Sequence, residues 1–206
     1  HDVVWMGAAA GSPLCIMTVL KTTLAYNNLD TLEGGYGISL RQLERFAQST
    51  YADSDVSRWI PHADPRTAAG DLTAAAQMHK AVTVMMLKLE AQVIARNPDF
   101  DLQGRDFLNH IDFAAGTVDY HGTVYPLLDC DFPTVDPAAP TTLTAEEGHV
   151  IAGLVRSFAE SERLQRHVQF LYAHGAFYKI CNGNLLYHGA VPMTEDGAFA
   201  AIRFEG

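Results

Sequence analysis

The sequence predicts a mixed fold, α+β or α/β, in which a long and mostly helical middle interrupts a core made by the two chain ends. Apolar residues recur at helical spacing in the middle of the chain, whereas the ends carry short apolar runs that resemble strands. Strand-like ends around a helical middle are typical of an α/β core with an inserted helical part.

Four segments of the chain have the periodicity of amphipathic helices. The predicted helices span residues 13–26, 40–51, 71–97 and 144–173. Ser12 followed by Pro13 predicts the start of the first helix, and Ser39 predicts the start of the second. Thr144 and Glu147 have the spacing of a capping box at the start of the fourth.

Strands and turns are predicted where alternating apolar residues flank a pair that tolerates positive φ. His121-Gly122 lies in a hairpin near residues 117–125, and Asn182-Gly183 separates strands over 177–181 and 184–188. Residues 127–140 contain three prolines and several aspartates, which predicts an extended segment. A last strand is expected over 199–204.

Composition and charge limit the classes of partner. The chain has 206 residues and a net charge of −10, which argues against binding to nucleic acid or to an anionic membrane. Its cysteines, Cys15, Cys130 and Cys181, are widely spaced, so they indicate a reducing compartment and predict no structural zinc site. A cytoplasmic protein is therefore expected.

Two histidines are candidates for chemistry. His188 follows the apolar run Leu185–Tyr187 and precedes Gly189, as a buried strand would present a metal ligand at the edge of a sheet. A hydrogen-bonded core histidine is the alternative. His1-Asp2 places a histidine beside a carboxylate, and such a histidine could protonate the leaving oxygen of a phosphate ester. Taken alone, that pair indicates little.

Five blocks together resemble a known family, the class III (Firmicutes-type) fructose-1,6-bisphosphatases, a branch of the calcineurin-like metallophosphatases. The blocks are His1–Ser12, Tyr26–Leu40, Leu127–Pro137, Leu143–Glu147 and Tyr178–Gly197. They occur in the order of the family and extend over almost the whole chain. A series of this kind is far more specific than any single motif.

The resemblance implies a fold and a division of the chain. Residues 1–26 and 176–206 would belong to a metallophosphatase β-sandwich core, with the second range forming its return strands. Residues 27–175 would be a largely helical insertion. Assembly of subunits into a homo-oligomer is one role that this insertion could serve.

The resemblance also implies an activity and roles for three residues. His1 matches the substrate-facing histidine, the general acid, with Asp2 in support, and His188 matches a metal ligand. The intact enzyme would use two divalent ions, Mn²⁺ first among them, to activate a water for in-line attack on fructose 1,6-bisphosphate. The products would be fructose 6-phosphate and phosphate, a step of gluconeogenesis.

Other ligand blocks of the family are not found in these residues, so the chain by itself is expected to be inactive. Two further hypotheses stay open. The chain could be a non-catalytic helical module for regulation or oligomerisation, or the intact protein could be a metallophosphatase that acts on another phosphoester. The sequence assigns no substrate-binding residues.

Overall fold

The computed structural model describes residues 2–62, 72–176, 178–187, 189 and 192–200. The chain divides into two compact units, residues 1–168 and residues 169–206. The first contains most of the helices and a small sheet, and the second contains a β-hairpin.

Helices dominate the described part of the first unit. The helices are α1 (Asp2–Ala9), α2 (Pro13–Ala25), α3 (Glu33–Tyr36), α4 (Arg41–Thr50), α5 (Thr73–Arg96), α6 (Ala145–Glu160) and α7 (Glu162–His174), the last of which continues into the second unit. The strands are β1 (Ile111–Asp112), β2 (Thr117–Tyr120), β3 (Thr123–Pro126), β4 (Tyr178–Cys181) and β5 (Asn184–Tyr187).

Helix α5 lies at the centre of the first unit and packs on α2 and α4. Its methionines contribute to this core, since Met78 is 5% exposed and Met85 is fully buried. Leu20 and Leu24 of α2 and Leu43 of α4 are fully buried in the same apolar cluster. The methionine-rich stripe of α5 is thus core packing.

The N-terminal segment is a helix, so the prediction of a strand-like N-terminal end is wrong. Residues Asp2–Ala9 form α1, which packs on α2. Gly7 permits the close approach, because a Cβ atom on it would lie 2.5 Å from Cys15 Sγ. A short apolar run has no periodicity that separates a helix from a strand, so packing decides between them.

Two helix boundaries also differ from the predictions. Ser39 does not cap α4, whose N-cap is Leu40 without a side-chain hydrogen bond. The predicted helix over 144–173 is broken at Ser161, which separates α6 from α7. Ser161 Oγ donates to the Tyr36 carbonyl oxygen over 2.7 Å and accepts from the Leu164 N–H. A serine that bonds in this way competes with the helix and starts a new one.

The other helix predictions are confirmed by local hydrogen bonds. Ser12 Oγ accepts from the Cys15 N–H at the start of α2. Thr144 and Glu147 form a reciprocal capping box at the start of α6. The third predicted helix is α5, and residue 71, its expected start, lies outside the described residues.

The sheet of the first unit is antiparallel, with strand order β1-β2-β3. The predicted hairpin is confirmed, and both residues of its turn have positive φ, 52° at His121 and 77° at Gly122. The described strands pair only antiparallel and form no β-sandwich, so the described fold is α+β and the metallophosphatase core stays a prediction.

The chain between β3 and α6, residues 127–143, contains neither helix nor strand, as predicted for most of it. We call these residues the strap. Their N-terminal end is fixed to the sheet, because the Leu127 N–H donates to the Gly116 carbonyl oxygen over 2.8 Å.

In the second unit, β4 and β5 form the predicted hairpin, with φ of 50° at Asn182 and 75° at Gly183. Its strands are exposed throughout, so the prediction of a buried strand before His188 is wrong for this unit. Residues 201–204 of the predicted last strand lie outside the described residues. None of the described helices is long and apolar enough to cross a membrane.

Candidate functional site

The residues predicted to carry chemistry lie at the margin of the described structure. His1 and His188 lie outside the described residues. Asp2 is the first residue of α1, and its side chain is likewise outside the description. The roles of all three stay predictions, and the structure defines only the elements that adjoin them.

The element before His188 is a hairpin with an apolar face. Tyr178 pairs with Tyr187 and Ile180 pairs with Leu185, so these four side chains share one face. Each is more than half exposed, from 52% at Tyr187 to 67% at Ile180. Strand β5 ends at Tyr187, and Gly189 has a φ of 87°. An isolated two-stranded hairpin is only marginally stable, so this face needs a partner surface.

Two contacts hold the C-terminal half of the helix next to His1. Gly7 lies against Cys15 of α2. At the C-terminal end, Gln165 Nε2 of α7 donates to the Ala9 carbonyl oxygen over 2.9 Å. Both contacts join residues that are distant in sequence or in different helices, so α1 has a fixed position within the first unit.

A groove of about 550 Å³ lies between α1 and α2. Its walls are mainly apolar and include Trp5 and Tyr26, and no charged side chain lines it. The hydroxyls of Thr18, Thr22 and Thr23 in its wall already donate to carbonyl oxygens of their own helix. The groove therefore lacks the donors and positive charge that a phosphate group requires.

A second cleft, of about 450 Å³, lies at the junction of α6 and α7. Arg163 and Arg166 line it together with Glu160 and Glu162, so its positive and negative charges balance. Arg163 Nη1 also donates to the Gly35 carbonyl oxygen over 2.9 Å. Arg163 thereby joins Gly35 to α7, but the cleft has no excess of positive charge for an anion.

The most buried charges of the described chain lie where α5 meets the strap. Lys80 has a fully buried side chain, and its Nζ lies 2.9 Å from Asp129 Oδ2 and 3.5 Å from Asp131 Oδ2. It also donates to the Asp55 carbonyl oxygen over 3.2 Å. Trp59 Nε1 donates to the same oxygen of Asp129 over 2.7 Å. Lys80 thereby joins α5 to two separate connections of the chain.

A second buried lysine lies two turns further along α5. Lys88 Nζ donates to the Thr134 carbonyl oxygen over 2.6 Å and to Glu147 Oε2 over 2.8 Å. Glu147 Oε2 also accepts from the Thr144 N–H over 2.8 Å. The other oxygen, Oε1, is buried without a hydrogen-bond partner among the described residues. The charge of Glu147 thus depends on Lys88 for compensation.

A tyrosine and a histidine beside these ion pairs have shifted pKa values. Burial raises the pKa of Tyr51, and the nearby carboxylates Glu147, Asp131 and Asp129 raise it further, against a hydrogen bond to Thr134. Tyr51 is therefore a neutral hydroxyl at ordinary pH.

The shift at the histidine has the opposite sign. Burial lowers the pKa of His79, although the Trp59 carbonyl oxygen, 3.0 Å from its Nδ1, opposes the change. The repulsion of Lys21 and His62 lowers it further. His79 is thus held in the neutral form, with Nδ1–H as the donor to Trp59.

The sequence prediction did not include Lys80 and Lys88 among the important residues. The available signal was the presence of two lysines within a helix rich in apolar residues, together with an aspartate-rich segment later in the chain. Ion pairs between them are not visible in the sequence because the partners lie 49 and more residues apart. Both lysines have a structural role, holding the strap and the start of α6.

The described residues do not supply a metal site. Among them, no group of three or more histidine, cysteine, aspartate or glutamate side chains could hold a metal ion. The carboxylates closest to such a group, Asp129 and Asp131, already surround the ammonium group of Lys80.

Comparison with known proteins defines the class. The family described as Firmicute fructose-1,6-bisphosphatase matches residues 1–206, and the chain belongs to this family. A protein of Bacteroides fragilis named fructose-1,6-bisphosphatase class 3 is 46% identical over 209 residues, which covers 100% of this chain and 32% of the relative. A protein of the same name from Clostridium novyi is 44% identical over 207 residues, covering 100% of this chain and 31% of the relative.

A third relative has nearly the same coverage. The protein of Porphyromonas gingivalis with this name is 43% identical over 206 residues, or 98% of this chain and 32% of the relative. The chain thus spans about a third of the length of the curated relatives that it matches. No solved structure matches the chain.

Proposed function

We propose that the full-length protein hydrolyses fructose 1,6-bisphosphate to fructose 6-phosphate and phosphate. The observation that carries this proposal is the match of the whole chain to the family, together with 46% identity to a fructose-1,6-bisphosphatase class 3. Identity of this extent covers every part of the chain, including the helical middle and the residues at both ends. The substrate would make the protein an enzyme of gluconeogenesis.

For the chemistry we propose that His1 is the general acid, that Asp2 supports it and that His188 is a metal ligand. A positioned general acid contributes by giving a proton to the leaving sugar oxygen. The divalent ion, for which we propose Mn²⁺, would supply charge for the phosphate group when bound. In support, β5 ends at Tyr187, directly before His188, and Gly189 has a positive φ of 87°.

For the architecture we propose that residues 27–175 are an insertion and that the β4–β5 hairpin packs on the rest of the full-length protein. The support is the exposed apolar face formed by Tyr178, Ile180, Leu185 and Tyr187. Burial of such a face is favourable, since each large apolar side chain gains about 1.5–3 kcal/mol when it leaves water.

The test is phosphate release by the full-length protein, assayed with fructose 1,6-bisphosphate and with a panel of other phosphoesters. We expect fructose 1,6-bisphosphate to have the highest kcat/KM and added Mn²⁺ to support turnover. A clear preference for another phosphoester would replace the substrate in this proposal. Absence of phosphatase activity with Mn²⁺ and with other divalent metals would reject the proposal.

The site residues are tested separately with three variants. His1→Ala is expected to lower kcat by about 10²–10⁴-fold, the range of general acid catalysis. His188→Ala is expected to lower the metal content of the purified protein as well as its activity. His149→Ala, which changes an exposed histidine on α6, is the matched control. Normal activity of His1→Ala, or a normal metal content of His188→Ala, would contradict the corresponding role.

A further inference from the structure

We propose that the strap is a separately detachable segment, which the ion pairs of α5 hold in place and which can open while the helical core stays folded. The strap comprises residues 127–143, as defined above. This inference concerns a conformational device of the fold and does not depend on the proposed activity.

The strap itself is little buried. None of its side chains is buried, and the nearest buried residues along the chain are Val118 and Glu147. Leu143, at its C-terminal end, packs against the main apolar cluster. Segments with few buried apolar contacts open at low free energy, whereas core helices open only with the whole protein.

Ion pairs and hydrogen bonds from α5 hold the strap. The anchors are polar and follow one another along α5, from Lys80 through Lys88 to Gln92. Lys80 binds Asp129 and Asp131, Lys88 binds the Thr134 carbonyl oxygen, and Gln92 Nε2 donates to the Thr141 carbonyl oxygen over 2.9 Å. The strap therefore lies along the helix through charged and hydrogen-bonded contacts.

Lys80 and Lys88 become hydrated when the strap opens. Both side chains are fully buried while the strap is in place. An ion pair in such a position gains little net free energy, because both charges lost their hydration when it formed. On opening, the charges that the strap covers regain water, so the loss of these contacts is largely offset. The core of α2, α4 and α5, which is apolar, has no such compensation.

Two further contacts can report the opening. Trp59 Nε1 donates to Asp129, and Tyr51 Oη lies 3.4 Å from Thr134 Oγ1. Both partners belong to the strap, and both aromatic residues belong to the remainder of the first unit. Opening would break both contacts, so the environment of Trp59 would change without unfolding of the helices.

The test is hydrogen exchange of the full-length protein, followed by mass spectrometry. In the wild type, we expect peptides of the strap to exchange at least about 100-fold faster than peptides of α5. Lys80→Met is expected to speed exchange in the strap about tenfold further, while α5 stays at least about 100-fold better protected than the strap. Lys179→Met, a change of an exposed lysine, is the matched control and should leave the strap as in the wild type.

Each outcome decides the proposal. Equal protection of the strap and α5 in the wild type would overturn it, since this shows one cooperative unit, as would unchanged exchange of the strap in Lys80→Met. If Lys80→Met does not fold, Gln92→Ala removes a neutral hydrogen bond at the other end of the strap. Faster exchange of the peptide with Thr141, at a rate still well above that of α5, would support the proposal, and no change there would contradict it.

Discussion

Lys88 Nζ and Glu147 Oε2 lie 2.8 Å apart, and both side chains are fully buried. The pair joins α5 to the first turn of α6, and Lys88 also binds the strap through the Thr134 carbonyl oxygen. Because Glu147 is also part of the capping box with Thr144, one carboxylate fixes the start of a helix and compensates a buried charge. This pair links α5 to the strap and to α6, two consecutive segments that are remote from α5 in sequence.

We predict that Lys88→Met destabilises the full-length protein by about 3–5 kcal/mol, because it leaves the carboxylate of Glu147 buried without a counter-charge. Urea denaturation measures the loss. The double variant Lys88→Met/Glu147→Gln should recover part of it, since the amide is neutral and its oxygen can still accept from the Thr144 N–H. A double variant no more stable than Lys88→Met would contradict this explanation.

Replacement by alanine should lower the stability of the protein at Gly7 and raise it at Gly148. A Cβ atom on Gly7 would lie 2.5 Å from Cys15 Sγ, whereas a Cβ atom on Gly148 of α6 would meet nothing within 4 Å. Gly7→Ala should therefore cost about 1–3 kcal/mol through overpacking. Gly148→Ala should stabilise by about 0.5–1 kcal/mol through helix propensity.

The same denaturation experiment measures both glycine variants. The double variant Gly7→Ala/Cys15→Ala removes the sulfur atom and should recover part of the loss. If Gly7→Ala is as stable as the wild type, α1 and α2 do not approach as closely as described.

Tyr51 predicts a loss of stability at alkaline pH. The pKa of Tyr51 is raised in the folded protein. Its contribution to the free energy of unfolding is therefore complete below the pKa of an unfolded tyrosine, near 10, and falls as pH rises beyond that value. The slope for one proton is at most about 1.4 kcal/mol per pH unit. Denaturation midpoints between about pH 9 and about pH 11 should fall less steeply for Tyr51→Phe than for the wild type. Tyr26→Phe, which removes an exposed hydroxyl, is the control.

His79 predicts a loss of stability at acidic pH. The pKa of His79 is lowered in the folded protein. Its contribution to the free energy of unfolding is therefore present above the pKa of an unfolded histidine, near 6.5, and is lost as pH falls through the lower pKa of the folded protein. His79→Asn keeps a donor for the Trp59 carbonyl oxygen but does not titrate. Thermal stability between about pH 7 and about pH 5 should therefore depend less on pH in this variant. His149→Asn, on the exposed side of α6, serves as control, and an identical slope for His79→Asn and the wild type would contradict the prediction.

Much of the secondary structure could be predicted because its signals are local. Thr144 and Glu147 are three residues apart, and the Asn182-Gly183 turn needs only the positive φ that these two residues tolerate. The break at Ser161 could not be predicted in this way. It depends on a hydrogen bond to Tyr36, 125 positions away.

The candidate site was predicted less completely. His1, Asp2 and His188 could be proposed because short blocks of the sequence resemble those of a family, and their chemistry stays a prediction. The buried ion pairs of Lys80 and Lys88 could not be proposed, since a lysine in a helix is usually solvated and nothing in the sequence shows what covers it.

By itself the sequence determined the family, the main helices and both hairpins, because caps, turns and apolar periodicity act over a few residues. Tertiary structure alone decided that residues 2–9 form a helix, that Lys80 and Lys88 are buried, and that the strand before His188 is exposed in its unit. Each of these depends on which distant segment packs against a residue, and burial and charge compensation arise only when those segments meet.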